Sequence, residues 1–473
     1  MAEERSCGRL RPALALQFPL PPLYRRHTQR RPHLLARRQS QPPYLALRPS
    51  RKSSQLCPGA SFPICPPRKF QNFMHKKRYC AIFGLLSYSR GNSASGDGAG
   101  SLQQTEESDM DAHAKLKPIT PEEEAALAEL YADFGSEHLM PLWTQIDDLM
   151  PKHPAPKAVP HVWKWSKLYP LAKRSGDLVP VGRGGERRAI GLGNPGLGGR
   201  PYISPTLWAA IQYLGPKETA PEHRHSQNAF RFVVEGEGVW TVVNGDPVRM
   251  SRGDLLLTPG WNFHGHHNET DKPMAWIDGL DIPFSYQNDV GFFEFGSERV
   301  TDYATPRFSR SERLWAHPGL RPLSGLQETA SSPIAAYRWE HTDRALTEQL
   351  LLEDEGQPAT VEQGHAAIRY VNPTNGGDIM PTIRAEFHRL RAGTKTPGRR
   401  EVGSSVFQVF EGSGAVVLDG KEQRLDVGDL FVVPSWISWS LQAETQFDLF
   451  RFSDAPIMER LSFARTHVED AHR

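Results

Sequence analysis

Hydrophobic and polar positions follow a helical period where the folding-competent part of the chain begins. Apolar side chains recur there at spacings of three and four residues, at Leu127, Leu130, Tyr131 and Phe134. Thr120 is a helix-capping residue type, Pro121 suits a first helical position, and the glutamates that follow oppose the helix dipole. The pattern predicts an amphipathic helix beginning at Pro121. Prolines and glycines interrupt residues 153–197, where we expect irregular structure.

From Tyr202 onward the pattern changes to short β-rich runs separated by glycine turns. The runs are LWAAIQYL, NAFRFVVEG, VWTVVNG, DLLLTPGW and MAWIDGLDI. Strands this short and closely spaced are typical of a sandwich or barrel. A second copy follows the same plan, because Phe230–Trp261 matches Phe407–Trp436, with Glu235 and Glu411 in the shared Glu-Gly pair 176 residues apart. The sequence therefore predicts two β-barrels that arose by duplication.

Each copy also carries a two-residue hairpin signal. The dipeptides are Asn244-Gly245 in the first copy and Asp419-Gly420 in the second. Such dipeptides tolerate the positive φ that a tight type I′ turn demands. The shared Gly-Asp pairs beyond the hairpins are 175 residues apart, so the second hairpin has lost one residue.

Composition divides the chain into a basic head and an acidic remainder. Residues 1–104 contain 18 Lys and Arg against three Asp and Glu, a net +15, whereas the other 369 residues carry 38 against 51, a net −13. All four cysteines lie in the head, at Cys7, Cys57, Cys65 and Cys80. The remainder therefore holds neither a disulfide nor a cysteine-ligated metal, and a metal there must use His, Asp or Glu.

The head, residues 1–109, is rich in Pro, Arg, Ser and Gly without a sustained apolar period, so we expect it to be disordered. Two interpretations stay open: an organelle transit peptide, or sequence upstream of a start at Met110. We expect a cytoplasmic protein, with organelle targeting by the head as the alternative. No apolar run approaches the roughly 18 residues that cross a bilayer, and we expect neither a membrane nor a nucleic-acid partner.

Histidines are concentrated in two segments of the first copy. On an extended strand, residues i and i+2 share a face, so His223 and His225 point together into one side of the barrel. His264 and His266 are likewise two residues apart, whereas His267 points away. An H-x-H pair and an H-x-H-H cluster on two segments of one barrel indicate metal binding.

The two segments follow the cupin superfamily motifs G–HxH–G and G–P–H–N. More narrowly, the chain resembles the bicupin ring-cleaving dioxygenases, above all the gentisate 1,2-dioxygenase family. The resemblance rests on APEHRHSQNAFRFVVEGEG, GDLLLTPGWNFHGHHN, MAWIDGLDIP and the C-terminal FQVFEGSG, GDLFVVPSW and LFRFSDAPI. It runs from about Tyr131 to Met458.

The resemblance implies an all-β double cupin of two jelly-roll barrels, with an N-terminal helical segment and the disordered basic head. The expected domains are residues 1–109 (head), 110–200 (helical and irregular segment), 201–330 (first barrel, with the iron site) and 331–473 (second barrel, without metal). Relatives in the family form homo-oligomers, commonly tetramers, and we expect a homotetramer.

Carried over by position, the resemblance implies that His223, His225 and His264 bind Fe(II). The usual cupin adds a glutamate four or five residues after its second histidine, but Ala229 and Phe230 occupy those positions. Three neutral imidazoles leave the ion its full charge and about three open octahedral positions, as in a facial triad. Two of these suit a ring carboxylate with its neighbouring phenolate, and one suits dioxygen.

Such a site implies ring cleavage of a small aromatic hydroxy acid. Triplet dioxygen does not react readily with a singlet aromatic ring, so a redox metal must hold both and pass electron density between them. In this family, gentisate opens between its carboxyl-bearing and hydroxyl-bearing carbons and gives maleylpyruvate.

Other residues match the family's substrate pocket. Arg231 alternates with two phenylalanines and lies on the opposite face of its strand; by position it resembles a substrate anchor, as do Arg183 and Arg187 in the preceding loop. Arginine suits carboxylates because its planar fork makes two charge-assisted bonds. Trp208 and Gln212 match a pocket wall and a polar contact. The alternatives are exposed strand or loop charges for the arginines and ordinary strand packing for the other two.

Two further residues of the first copy match catalytic positions of the family. His266 matches a histidine that can donate to bound substrate or oxygen. Asp278 matches an acid that relays a proton or binds the substrate's 5-hydroxyl group. A buried aspartate needs a partner in either case.

The second copy is an internal control. Its counterparts of the three ligand positions are Arg399, Glu401 and Trp439, so we expect this barrel to be free of metal and retained for packing or assembly. Three alternatives stay open. Relatives cleave salicylate or 1-hydroxy-2-naphthoate through similar ligands, a non-catalytic bicupin would not need the first barrel's histidines, and a manganese bicupin such as oxalate decarboxylase would want the missing glutamate.

Overall fold

The computed structural model describes residues 119–181, 183, 188–296 and 306–469, which form two β-barrels preceded by helices. The head, residues 1–109, lies outside the described residues. The helices are α1 (Pro121–Ser136), α2 (Ile146–Leu149), α3 (Trp165–Leu178), α4 (Ile282–Gln287), α5 (Arg310–Trp315), α6 (Trp339–Asp354) and α7 (Ala455–Arg460). None of these helices is long and apolar enough to cross a membrane.

Helix α1 begins where the sequence predicts it. The Thr120 hydroxyl accepts the Glu123 backbone N–H at 3.2 Å, and the Glu123 carboxylate accepts the Thr120 N–H at 2.8 Å. This capping box satisfies two N–H groups that have no partner within the helix. Pro121 occupies the first position, as expected.

Short strands make up the rest of the described fold. They are β1 (His161–Trp163), β2 (Ala189–Gly191), β3 (Trp208–Leu214), β4 (Thr219–His225), β5 (Ala229–Glu235), β6 (Glu237–Val243), β7 (Asp246–Ser251), β8 (Leu255–Thr258), β9 (His264–Asn268), β10 (Met274–Leu280), β11 (Phe293–Phe295), β12 (Ala336–Tyr337), β13 (His365–Arg369), β14 (Arg384–Leu390), β15 (Arg399–Glu401), β16 (Ser405–Glu411), β17 (Gly414–Leu418), β18 (Lys421–Leu425), β19 (Leu430–Val433), β20 (Trp439–Ala443), β21 (Phe447–Ser453) and β22 (Thr466–Val468).

Each barrel consists of a six-stranded and a five-stranded sheet. In the first barrel the strand orders are β12-β8-β5-β10-β3-β2 and β11-β4-β9-β6-β7. In the second barrel they are β1-β19-β16-β21-β14-β13 and β18-β17-β20-β15-β22. This arrangement confirms the predicted all-β fold with two barrels.

The hairpins have the predicted geometry. Asn244 and Gly245 have φ values of 47° and 74°, and Asp419 and Gly420 have 47° and 76°. Positive φ at both central residues is the mark of a type I′ turn, whose twist matches that of the flanking strands.

The two barrels exchange an edge strand. β1 precedes the first barrel in the chain but pairs with β19 of the second, while β12 follows the first barrel's other strands and pairs with β8. Each exchanged strand leads into a helix whose first N–H is held by an aspartate of the receiving barrel. Trp165 N–H donates to Asp429 at 2.8 Å, and Trp339 N–H donates to Asp254 at 3.0 Å. The duplicated unit therefore includes a strand and a helix ahead of each barrel.

The irregular structure predicted for residues 153–197 is wrong in its central part, where β1 and α3 form. Pro170 lies inside α3, although a proline in a helix interior costs about 3 kcal/mol. Packing offsets this cost, because Ala172 is fully buried and the Trp165 ring occupies the space where Gly428 has no side chain. The tertiary contacts outweigh the local sequence signal.

The core lies in three layers. One fills the interior of each barrel, and the third lies between the six-stranded sheets of the two barrels. Aromatic rings dominate the middle layer, where Phe232 of β5 stacks on Phe450 of β21 with centroids 4.1 Å apart and planes 2° apart. Residues that alternate with Phe232 along β5 consequently face the interior of the first barrel.

Candidate metal centre

Two neighbouring strands of the first barrel bring three imidazoles together. β4 carries His223 and His225, β9 carries His264, and the register places His223 directly opposite His264. The ring centroids are 4.4 Å apart for His223 and His264 and 5.0 Å apart for His225 and His264. One ligand atom from each of the three lies within 4.8 Å of the others, and this is the one such group found among the described residues.

Each of the three rings is held through its Nδ1 atom. His223 Nδ1 lies 3.1 Å from the carbonyl oxygen of Pro221, His225 Nδ1 is 2.9 Å from that of Gln227, and His264 Nδ1 is 2.9 Å from that of Asn262. A carbonyl oxygen only accepts, so Nδ1 is the protonated nitrogen and Nε2 keeps its lone pair. Such outer hydrogen bonds are what fix the tautomer of metal-binding histidines.

Burial keeps these rings neutral. It lowers the pKa of His225 to about 4, with the neighbouring His223 and Arg231 adding to the effect. Burial also lowers the pKa of His264 well below its usual value, and Arg231 contributes again. Neutral imidazoles are the form that binds metal.

The site's own polar atoms fit a metal ion. His264 Nε2 is buried with no hydrogen-bond partner in the part of the chain that the structure describes. A buried polar atom left unpaired is costly, and a coordinated cation removes the cost. The positions of the usual cupin glutamate hold Ala229 and Phe230, both fully buried, so they offer no carboxylate. The donor set is three neutral nitrogens.

A buried ion pair lies on the adjoining sheet. Arg231 on β5 is directly opposite Asp278 on β10, with Nε 3.5 Å from the carboxylate, and Arg231 Nη1 donates to the Thr258 hydroxyl at 2.8 Å. Trp276 donates its indole N–H to Asp278 at 3.1 Å. Burial raises the pKa of Asp278 to about 6, although Arg231 and Trp276 both act to lower it. Arg231 is only 4% exposed, which excludes the exposed-strand alternative.

His266 is on the same strand as His264 and is equally buried. Its Nδ1 lies 2.8 Å from the Thr241 hydroxyl, and its Nε2 has no hydrogen-bond partner among the described residues. The ring centroid is 5.1 Å from that of Trp276. His266 therefore lies between the metal centre and the sheet that carries the ion pair.

Gln212 and Trp208 lie on β3, which flanks the ion-paired strand. Gln212 is opposite Trp276 and 9% exposed, while Trp208 is opposite Leu280 and partly buried. Both alternate with residues of the layer between the barrels, so they face the interior of the first barrel. The structure places them on the same face as Asp278.

The predicted loop arginines are not brought to the centre by any contact in the described residues. Arg183 is exposed in the turn after α3, and Arg187 lies outside the described residues. The next residue, Arg188, is buried and binds Glu218 and the carbonyl oxygens of Val179 and Tyr213. Arg188 thus fixes the end of this loop against the barrel.

Sequence reasoning missed the residues that support the site. Thr241 binds His266, Thr258 binds Arg231, and Trp276 binds Asp278. Phe293 stacks on His223 with centroids 5.4 Å apart. Strand alternation could have identified Trp276, two residues before Asp278, but nothing local marks the other three.

In the second barrel, the three equivalent positions make ion pairs and ring contacts. Arg399 is opposite Trp439, as His223 is opposite His264. Arg399 binds Glu362, and Glu401 binds Arg451. These charges are matched to one another, in contrast to the neutral donor set of the first barrel. Two cupin barrels, one with a carboxylate-free group of three histidines, define the chain as a bicupin.

Comparison with known proteins gives the family. The model of the family described as Cupin domain matches residues 210–282. Gentisate 1,2-dioxygenase of a Streptomyces species is 62% identical over 344 residues, 73% of this chain and 96% of the relative. Gentisate 1,2 dioxygenase 1 of Aquipseudomonas alcaligenes is 35% identical over 338 residues, 71% of this chain and 95% of the relative.

A solved structure is also similar over most of its length. Salicylate 1,2-dioxygenase from Pseudoaminobacter salicylatoxidans, described in adducts with gentisate, is 78% identical with a TM-score of 0.73, over 76% of this chain and 96% of that chain. The chain belongs to the gentisate 1,2-dioxygenase family, and it is a bicupin ring-cleaving dioxygenase.

Proposed function

We propose that this enzyme converts gentisate and O₂ to maleylpyruvate with one Fe(II) held by His223, His225 and His264. The observation that carries the proposal is the arrangement of these rings. Each is held at Nδ1 by a backbone carbonyl oxygen, and their ligand atoms lie within 4.8 Å of one another. Three neutral ligands with no carboxylate leave room for a chelating substrate.

Bound Fe(II) would supply the redox link between an aromatic ring and dioxygen that zinc cannot supply. Arg231 gives the neighbouring sheet a buried positive charge. Its charge favours an anionic substrate, and its guanidinium suits the carboxylate of an aromatic acid. Thr258 and Asp278 hold this side chain in place. We assign Arg231 the role of substrate anchor.

Asp278 and His266 are the proposed proton-handling groups. The pKa of Asp278 is about 6, so near neutral pH its carboxyl can accept or return a proton at the substrate's 5-hydroxyl group. His266 Nε2, which has no partner among the described residues, can bind substrate or oxygen. Trp208 and Gln212 form the proposed pocket wall. Arg183 and Arg187 remain proposed contacts of the substrate carboxylate.

Salicylate is the second candidate substrate. The solved relative at 78% identity is a salicylate 1,2-dioxygenase that also binds gentisate. Salicylate lacks the 5-hydroxyl group, so it does not use the contact proposed for Asp278. We favour gentisate because its second hydroxyl makes the ring richer in electrons. We further propose that the enzyme works as a homotetramer and that its second barrel is free of metal.

The test uses the full chain, loaded with Fe(II) without air and then supplied with O₂ and one aromatic acid. The acids are gentisate, salicylate and 1-hydroxy-2-naphthoate, and both O₂ uptake and ring-opened product are measured. We expect gentisate to be consumed fastest, with one O₂ per molecule. No turnover of any acid would refute the function, and faster turnover of salicylate would refute the substrate.

A variant separates the two substrates. Asp278→Asn should slow the turnover of gentisate more than that of salicylate, because only gentisate carries the 5-hydroxyl group. Asp271→Asn is the matched control, since the Asp271 side chain is 91% exposed. Equal slowing of both substrates by Asp278→Asn would exclude the 5-hydroxyl contact.

A further inference from the structure

The segment before the first barrel, residues 119–150, contains no buried residue. It comprises α1, a short 3-10 turn and α2, and we call it the acidic arm. The hydrogen bonds and ring contacts described for it join its own residues: Trp143 donates to the Tyr131 hydroxyl at 3.1 Å and packs on Phe134 at 6.2 Å. In the described part of the chain, the arm is thus held by internal contacts alone.

The acidic arm exposes a large apolar surface. Eight of its large apolar side chains are between 41% and 74% exposed: Leu130, Leu139, Met140, Leu142, Trp143, Ile146, Leu149 and Met150. Single exposed apolar residues are normal, but a contiguous run of them marks an interaction site. A standard interface buries about 800 Å² per partner, and eight half-exposed large side chains offer an area of that order.

Charge narrows the choice of partner surface. The acidic arm contains eight Asp and Glu and neither Lys nor Arg. A surface that covers it must be apolar and must carry positive charge, because like charges brought together at an interface are unfavourable.

The described surface has one large groove with these properties. It has a volume of about 890 Å³ and is formed by α5 with the segment that follows it, the start of α6 and the end of β13. Its apolar walls include Trp315, Leu320, Ile334, Ile368 and Val371. We call it the basic groove. Neither the acidic arm nor the candidate metal ligands contribute to its lining.

The groove carries the complementary charge. Four arginines line it (Arg313, Arg321, Arg338 and Arg369) against two glutamates (Glu312 and Glu340). Arg338 is matched within the fold by Glu312 and Asp254. Arg369 is exposed at the rim, where its charge is available to an approaching surface.

We propose that the acidic arm of one copy of this chain docks in the basic groove of a second copy. The arm's apolar side chains fill the groove, and its carboxylates face the arginines at the rim. A reciprocal contact of this kind, in which each copy gives an arm and receives one, closes a two-fold pair. The occupant is a second copy because the arm leaves the groove of its own chain unlined.

Two full-length double variants test the contact from its two sides. The arm variant carries Met140→Asp and Leu149→Asp, and the groove variant carries Leu320→Glu and Arg369→Glu. All four positions are exposed, so folding should be unaffected, which circular dichroism checks. Leu323→Asp is the matched control, since Leu323 is 83% exposed and does not line the groove.

Sedimentation velocity over a concentration series gives the readout. We expect the arm variant and the groove variant each to dissociate at concentrations at least tenfold higher than the parent chain, and the control to match the parent. An equimolar mixture of the two variants should regain association. Each mixed pair then retains one intact arm and one intact groove, which a merely structural defect would not restore.

Several results would overturn the proposal. A parent chain that is monomeric throughout the series would exclude the docking. Variants that sediment like the parent would show that the arm docks on its own chain or not at all. Loss of association in the arm variant alone, or no recovery in the mixture, would place the arm on another surface.

Discussion

The buried pair of Arg231 and Asp278 predicts two variants with opposite responses to pH. Removing one partner of a buried ion pair costs about 3–5 kcal/mol, because the other charge remains buried. The two remaining charges differ in kind. A carboxyl can escape the cost by binding a proton, whereas an arginine keeps its charge at every accessible pH.

The magnitude follows from the pKa of Asp278. Burial raises it to about 6 even with Arg231 beside it, against about 3.9 for an unfolded aspartate. In Arg231→Met the pKa rises further, since the charge that lowered it is gone. Above pH 6 the folded variant keeps a proton that the unfolded chain has released. Its stability relative to the parent therefore falls by up to about 1.4 kcal/mol per pH unit.

Asp278→Asn should behave differently. The parent's own Asp278 is ionised above pH 6, and the asparagine does not titrate, so the loss of stability stays constant from pH 6 to pH 8. The exposed pair of Arg224 and Glu294 provides the control. Arg224→Met should cost less than about 1 kcal/mol at each pH.

The assay is urea-induced unfolding of the metal-free full chain at pH 6, 7 and 8, followed by tryptophan fluorescence. We expect the penalty of Arg231→Met to grow with pH and that of Asp278→Asn to stay level. A penalty for Arg231→Met that is the same at pH 6 and pH 8 would show that the carboxyl remains ionised, and the reasoning would be wrong.

Three further predictions concern packing, positioning and a turn. Phe232→Ala should cost about 3–5 kcal/mol in unfolding free energy because its ring is fully buried, whereas Phe292→Ala, 62% exposed, should cost little; equal losses would contradict the layer between the barrels. Thr241→Val should lower kcat about 10–100-fold without changing iron content, since it removes the partner of His266; unchanged kcat would exclude that role. Gly420→Ala should cost about 1 kcal/mol, because φ is 76° there although space is open; an unchanged thermal midpoint would argue against a strained turn.

Local patterns in the sequence predict those parts of the fold that local chemistry decides. The capping box at Thr120 and the hairpins at Asn244 and Asp419 follow from single residues and their neighbours. Strand alternation correctly groups His223 with His225. The register that brings His264 opposite them depends on the paired strands, but the duplicated motif order was enough to predict it.

The parts that were missed depend on contacts between distant segments. The exchange of β1 and β12 joins residues far apart in the chain, and helix α3 forms despite Pro170 because Trp165 packs at Gly428 of the other barrel. The supporting residues Thr241 and Thr258 look like ordinary strand threonines. Only the three-dimensional structure shows which buried polar atom each one satisfies.

The most direct test of the iron site is the metal content of the full chain after anaerobic loading with Fe(II) and removal of excess. One iron per chain is expected for the parent and for His267→Ala, whose histidine is adjacent to the site but lies half-buried on the other face of β9. His223→Ala, His225→Ala and His264→Ala should each retain far less than one. Two irons per chain, or one iron in all three of these variants, would contradict the account.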